Sequence, residues 1–156
     1  MNPVMNEKAD GAPAWGAVTA MTLGVFGLVT AEFLPASLLT PIAADLGISE
    51  GAAGQAVTMT AMFGFAVSLL ISAAARGADR RNMMMTFSVL LIVSNLMVAF
   101  AQGVYMLLAG RVLLGIALGG FWAMSTAGTM RLVPPGLVPR ALSILMSGVS
   151  AATVFA

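Results

Sequence analysis

Two residues in this chain are of a type and placement that could do chemistry. Glu32 follows an uncharged run from Gly11 to Ala31, and Arg111 follows another from Asn82 to Gly110. A charge near the middle of a membrane helix costs about 2.5–3.5 kcal/mol on insertion scales, and leucine would carry no such cost. One reading is a proton site: a carboxyl group held between desolvation and a guanidinium changes its protonation when a solute enters beside it. The other reading is a buried ion pair that only pins one helix to another. The chain has no His, so Glu32 is the best membrane-embedded proton carrier available. The absence of Cys removes disulfides and thiolate metal sites.

A few further residues are weaker candidates. Gln55 and Thr58 lie one helical turn apart, and Asn95 sits in the next apolar stretch. With Trp122 they form the candidate solute-cavity set, each weighed against plain hydrogen bonding or packing between helices. Arg111, Gly115 and Gly119 recur at four-residue intervals and share one helix face, and Gly115-x-x-x-Gly119 admits a close helix neighbour. The stripe continues roughly through Trp122 and Ser125. The 13 methionines suit an adaptable wall, though most are packing or lipid contacts.

The elements that must position these residues follow from composition. Of 156 residues, 60% are hydrophobic and 8% charged, against about 25% charged in soluble domains. A water-soluble fold of this composition would have a greasy surface, so the natural solvent is lipid. A net charge of +1 is far from the basic excess of a nucleic-acid binder. No nucleophile–base pair or metal-ligand set suggests an enzyme, and no cofactor is expected.

A spanning helix needs about 20 apolar residues, and the uncharged stretches predict four transmembrane helices plus a truncated fifth. These cover residues 15–39, 49–75, 83–101, 104–130 and 141–156, after a tail at 1–14. Pro41, Asp45 and Gly47 mark a short loop, with Ser49 as an N-cap. Arg76 to Arg81 form a charged turn. Gln102-Gly103 splits a stretch too long for one crossing, with Tyr105 at the interface. Pro134-Pro135-Gly136 and Pro139 separate the fourth span from the fifth, which reads as cut off inside a helix. A signal peptide is the lesser reading of the N-terminus, because its apolar run outlasts a typical signal core.

Lys8, Arg76, Arg80, Arg81, Arg131 and Arg140 all fall in the tail or in alternate loops, and the other loops have no Lys or Arg. By the positive-inside rule the N-terminus is cytoplasmic. Glu32 then lies about seven residues from the outer end of the first span, and Arg111 about seven from the outer start of the fourth. At the helical rise both sit roughly 10 Å below the outer surface. Matching depth on different helices invites a shared, water-filled cavity.

Arg111-Val112-Leu113-Leu114-Gly115-Ile116-Ala117-Leu118-Gly119-Gly120 resembles the helix-four motif of the major facilitator superfamily. Asp79-Arg80 resembles that superfamily's cytoplasmic loop motif in degenerate form. Gly is usual where Ala75 and Asn82 stand, and basic residues are usual where Met83 and Met84 stand. Three further segments are similar to the drug:proton antiporter branch, most of all to purine ribonucleoside efflux pumps. They are Ala31 to Pro35, continued by Leu38 to Pro41 and Asp45 to Ser49; Gly119 to Met124; and Met130 to Pro135.

The resemblance implies an all-α membrane protein of twelve helices in two halves, of which this chain would be part of the N-terminal half. It implies inverted three-helix repeats whose first and fourth helices line the cavity, and an inner-membrane exporter that exchanges protons for a purine ribonucleoside-like solute. Glu32 would bind the proton, Arg111 would be its electrostatic partner, and Asp79 and Arg80 would belong to the loop motif. The expected partners are the lipid bilayer, the small solute and the C-terminal helices of the parent transporter. Sugar or chloramphenicol-type export in the same superfamily is an alternative, as is an inactive truncated product. A four-helix multidrug exporter that inserts in both orientations is disfavoured by the strong basic asymmetry.

Overall fold

A computed structural model describes residues 13–74 and 79–156. The expectations for Lys8, the remainder of the tail up to residue 12, and Arg76 lie outside the described residues. Among the described residues there are six α-helices and a short 3-10 turn: α1 (Trp15–Ser37), α2 (Leu39–Asp45), α3 (Glu50–Ala74), α4 (Arg80–Ala99), α5 (Val104–Leu132) and α6 (Val138–Phe155), with the 3-10 turn at Pro135–Leu137 between α5 and α6. Five of these helical segments are long and apolar enough to cross a membrane; α2 is not.

The helix ends depart from expectation at prolines and at one cap. The first span stops at Ser37 rather than Leu39, and the loop expected around Pro41 is the helix α2. Pro41 is the third residue of α2, where an amide has no intrahelical acceptor to lose, so proline is tolerated there. Gly47 then turns the chain at φ +61, and the Ser49 hydroxyl accepts from the Ala52 amide at 3.2 Å to open α3. The third span begins at Arg80 rather than Met83, because Asp79 is its N-cap and accepts from the Arg81 amide at 3.0 Å. The fourth span runs on to Leu132. The fifth begins at Val138 rather than Ala141, with Pro139 in the first turn.

The helices run up and down, which gathers Arg80, Arg81, Arg131 and Arg140 at one end of the bundle. The Ala14 amide donates to the Leu132 carbonyl at 3.0 Å, and the Arg140 guanidinium lies over the Trp15 ring at 5.4 Å. The far end holds α2, and there the Thr40 hydroxyl donates to Glu50 at 2.9 Å. At the centre is α5, which carries the buried residues Leu107, Arg111, Leu114, Ala117, Phe121, Met124, Ser125 and Thr129. It packs against α3 on one side and α4 on another, while α1 packs mainly on α6 and also touches α5. Val25, Leu28, Val29, Phe87, Leu114, Ala117, Phe121, Met124 and Leu145 form the core between them.

Lipid gives little hydrophobic drive for helix association, so close packing has to supply the attraction. The contact of α3 with α5 does so through small residues. A Cβ added at Gly119 would overlap the Gly64 backbone, and one at Gly115 would come within 2.5 Å of the Thr60 carbonyl oxygen. On the opposite flank Gly148 of α6 meets α1, where an added Cβ would lie 2.7 Å from the Thr22 carbonyl oxygen.

Candidate functional site

Near the far end of α5, hydroxyls from two other helices and a backbone carbonyl from a third meet two consecutive residues. The Ser94 hydroxyl of α4 donates to the Gly110 carbonyl at 2.7 Å. The Thr60 hydroxyl of α3 reaches the Arg111 carbonyl at 3.3 Å while also bonding to Ala56 of its own helix at 3.1 Å. The Arg111 side chain points the other way, and its Nη1 donates to the Ala31 carbonyl of α1 at 3.0 Å. Arg111 is 2% exposed, and its Nε is buried with no hydrogen-bond partner among the described residues.

Glu32 is the residue after Ala31, so the two charges do meet at one level of the bundle. They do not form the ion pair of the alternative reading. The guanidinium bonds to the α1 backbone, and the half-buried Glu32 carboxylate makes no hydrogen bond or ion pair with any described residue. The two groups remain within electrostatic reach of each other. The arrangement therefore consists of a buried cation whose guanidinium bonds to backbone and a half-buried carboxyl group with no hydrogen-bond or ion-pair partner among the described residues. A hydrogen bond to a charged donor contributes about 1.5–3 kcal/mol, so the Arg111–Ala31 contact is a substantial tie between α1 and α5.

The weaker candidates fare differently. Gln55, Thr58 and Asn95 are exposed, and their side chains make no hydrogen bond to a described residue of this cluster. Trp122 is half-buried and packs on the core. Gly115 and Gly119 lie against Thr60 and Gly64 of α3. Asp79 caps α4, and Arg80 is exposed beside it.

Sequence reasoning passed over Thr60 and Ser94. Thr60 belongs to a stripe, Ala53, Ala56, Thr60, Gly64 and Ile71, that is buried at helical spacing. Ala56, Thr60 and Gly64 are a small-residue series, of which Thr60 and Gly64 face Gly115 and Gly119, and that pattern is readable in the sequence. Ser94 was overshadowed by its larger neighbour Asn95, although it shares a face with Phe87 and Leu91.

A separate cleft of about 800 Å3 opens at the arginine end, between the start of α1, the first half of α4 and the last turns of α5. Its walls are mostly apolar, including Met84, Met85, Phe121 and Met124, and Arg80, Arg81 and Arg131 also line it. None of Glu32, Gln55, Thr58, Asn95 and Trp122 does.

The fold and the cluster define a multi-pass α-helical membrane protein with charged residues on its α1–α5 contact. The family model of the Major Facilitator Superfamily matches residues 21–156. The chain belongs to that superfamily, a family of transporters and not of enzymes. It is 54% identical over 153 residues to the purine ribonucleoside efflux pump NepI of Shigella sonnei (strain Ss046), a match that covers 97% of this chain and 39% of that protein. It is also 54% identical over 160 residues to the proteins of the same name from Salmonella typhi and Salmonella paratyphi C (strain RKS4594), covering 100% of this chain and 40% of theirs. The chain thus spans about two fifths of the length of the curated relatives it matches. No solved structure matches it.

Proposed function

We propose that this chain serves, as part of a longer transporter, in the proton-coupled efflux of purine ribonucleoside-like solutes across the bacterial inner membrane, with its N-terminus in the cytoplasm. The observation that carries the coupling is the free Glu32 carboxyl beside the buried Arg111. A membrane-embedded acid without an ion-pair partner can load and release a proton as the cavity opens to either side, and one that only pinned helices together would be paired. The choice of solute rests on similarity to relatives named as purine ribonucleoside efflux pumps. Arginines gathered at one end of the bundle support the orientation.

Growth assays separate the solutes. Cells expressing the complete transporter that carries this segment are expected to withstand toxic purine ribonucleoside analogues and to gain no protection against chloramphenicol. Protection against chloramphenicol alone would place the solute in the multidrug class and overturn the purine reading.

A further inference from the structure

The carbonyl that Arg111 holds is not an arbitrary one. Proline has no amide hydrogen, so inside a helix it leaves the carbonyl four residues earlier without its usual donor. In α1 the proline is Pro35, and four residues before it is Ala31, whose carbonyl accepts from Arg111 Nη1 at 3.0 Å. Ala31 is buried, so water is a poor substitute, and an orphaned polar group there is costly. The guanidinium supplies from α5 the donor that the α1 backbone lacks.

We propose that Pro35 is a positioning residue: by freeing the Ala31 carbonyl it draws the Arg111 guanidinium onto the α1 backbone, and so keeps it from closing an ion pair with the adjacent Glu32 carboxylate. The free carboxyl group is then built by the helix break and is not an accident of rotamer. Among the described residues, the elements packed on α1 bring few other charges toward it. Asp45 of α2 and Glu50 of α3 lie at the far end, with Glu50 accepting from Thr40. Arg80 and Arg81 of α4, Arg131 of α5 and Arg140 of α6 lie at the opposite end, and Tyr105 of α5 is exposed. Among the described residues Arg111 is the cation placed to neutralise Glu32, and Pro35 gives it another acceptor.

The inference rests on the proton reading of Glu32 but is tested without any transport step. Dicyclohexylcarbodiimide couples to protonated carboxyl groups within membranes, and the adduct at Glu32 can be counted by peptide mass spectrometry, with Glu32→Gln as the blank. In the complete transporter, Pro35→Ala restores the missing amide and releases Arg111 to Glu32, so labelling of Glu32 should fall several-fold. Adding Arg111→Leu to Pro35→Ala should bring the labelling back. Pro35→Leu restores the same amide with a different side chain and must behave like Pro35→Ala.

Melting of the same proteins provides the second arm. Arg111→Leu alone strands the Ala31 carbonyl and should lower the melting temperature. In the Pro35→Ala background that loss should shrink by at least half, because the new amide satisfies the carbonyl. Unchanged labelling in both Pro35 variants, or an equal loss of melting temperature from Arg111→Leu in the two backgrounds, would overturn the proposal. Export that failed to respond to protons while the labelling behaved as described would refute the proton reading and leave the clamp intact.

Discussion

Ser94 and Asn95 are neighbours with opposite consequences. The Ser94 hydroxyl is buried and holds the Gly110 carbonyl of the next helix, whereas the Asn95 side chain is exposed. Hydrogen bonds between membrane helices average about 0.6 kcal/mol in double-mutant cycles. Ser94→Ala should therefore destabilise the bundle by about that amount, and Asn95→Ala should change it by much less, as read by unfolding in detergent. Glu32 and Arg111 were legible in the sequence because an ionisable group in an apolar run is expensive wherever it points. Thr60 and Ser94 were harder to see, since a hydroxyl costs little in a helix and its use depends on which face meets a neighbour. The partner of Arg111 was hidden for a different reason. Charge pairing between Arg111 and Glu32 is visible from residue types, whereas a bond to the Ala31 backbone requires knowing where α1 lacks a donor.

At the scale of the helices, the number and order of the long spans followed from hydropathy alone, because only a helix satisfies its own backbone in lipid. Their ends followed less well. Pro41 and Pro139 look like breaks in a sequence, yet each falls in the first turn of a helix, where no intrahelical bond is lost. Residues 104–130 were recognised as a packed helix from the spacing of Arg111, Gly115 and Gly119, and α3 is the helix that fills that face. Gly119→Ala should be severe, because the new Cβ meets the Gly64 backbone, which cannot rotate away. Overpacking of this kind costs about 1–3 kcal/mol or more. Gly54 has open space around its Cα, and Gly54→Ala should be neutral or stabilising by up to about 1 kcal/mol. The yield of monodisperse protein after mild detergent extraction compares the two directly; equal yields would mean that the α3–α5 seam is looser than described.

Over the whole molecule, α1 pairs with α6 as α5 pairs with α3, and the two pairings meet where Arg111 reaches Ala31. Each pairing joins the first helix of one three-span set to the second of the other, so a two-fold relation between the sets, as in inverted repeats, exchanges them. α4 flanks α5, and the cleft at the arginine end lies along the flank of α1. The relatives are about two and a half times as long as this chain, and the export proposed above is that of a longer transporter. What the helices contribute to it, on the reading proposed above, is a proton-binding carboxyl group held free of its nearest cation. The most direct measurement is proton-coupled flux in inside-out membrane vesicles containing the complete transporter, acidified within. A purine ribonucleoside should enter these vesicles as protons leave, and Glu32→Gln should abolish the exchange while leaving the amount of folded protein unchanged. Uptake by Glu32→Gln that still followed the proton gradient at the unsubstituted rate would contradict the assignment of Glu32 as the coupling group.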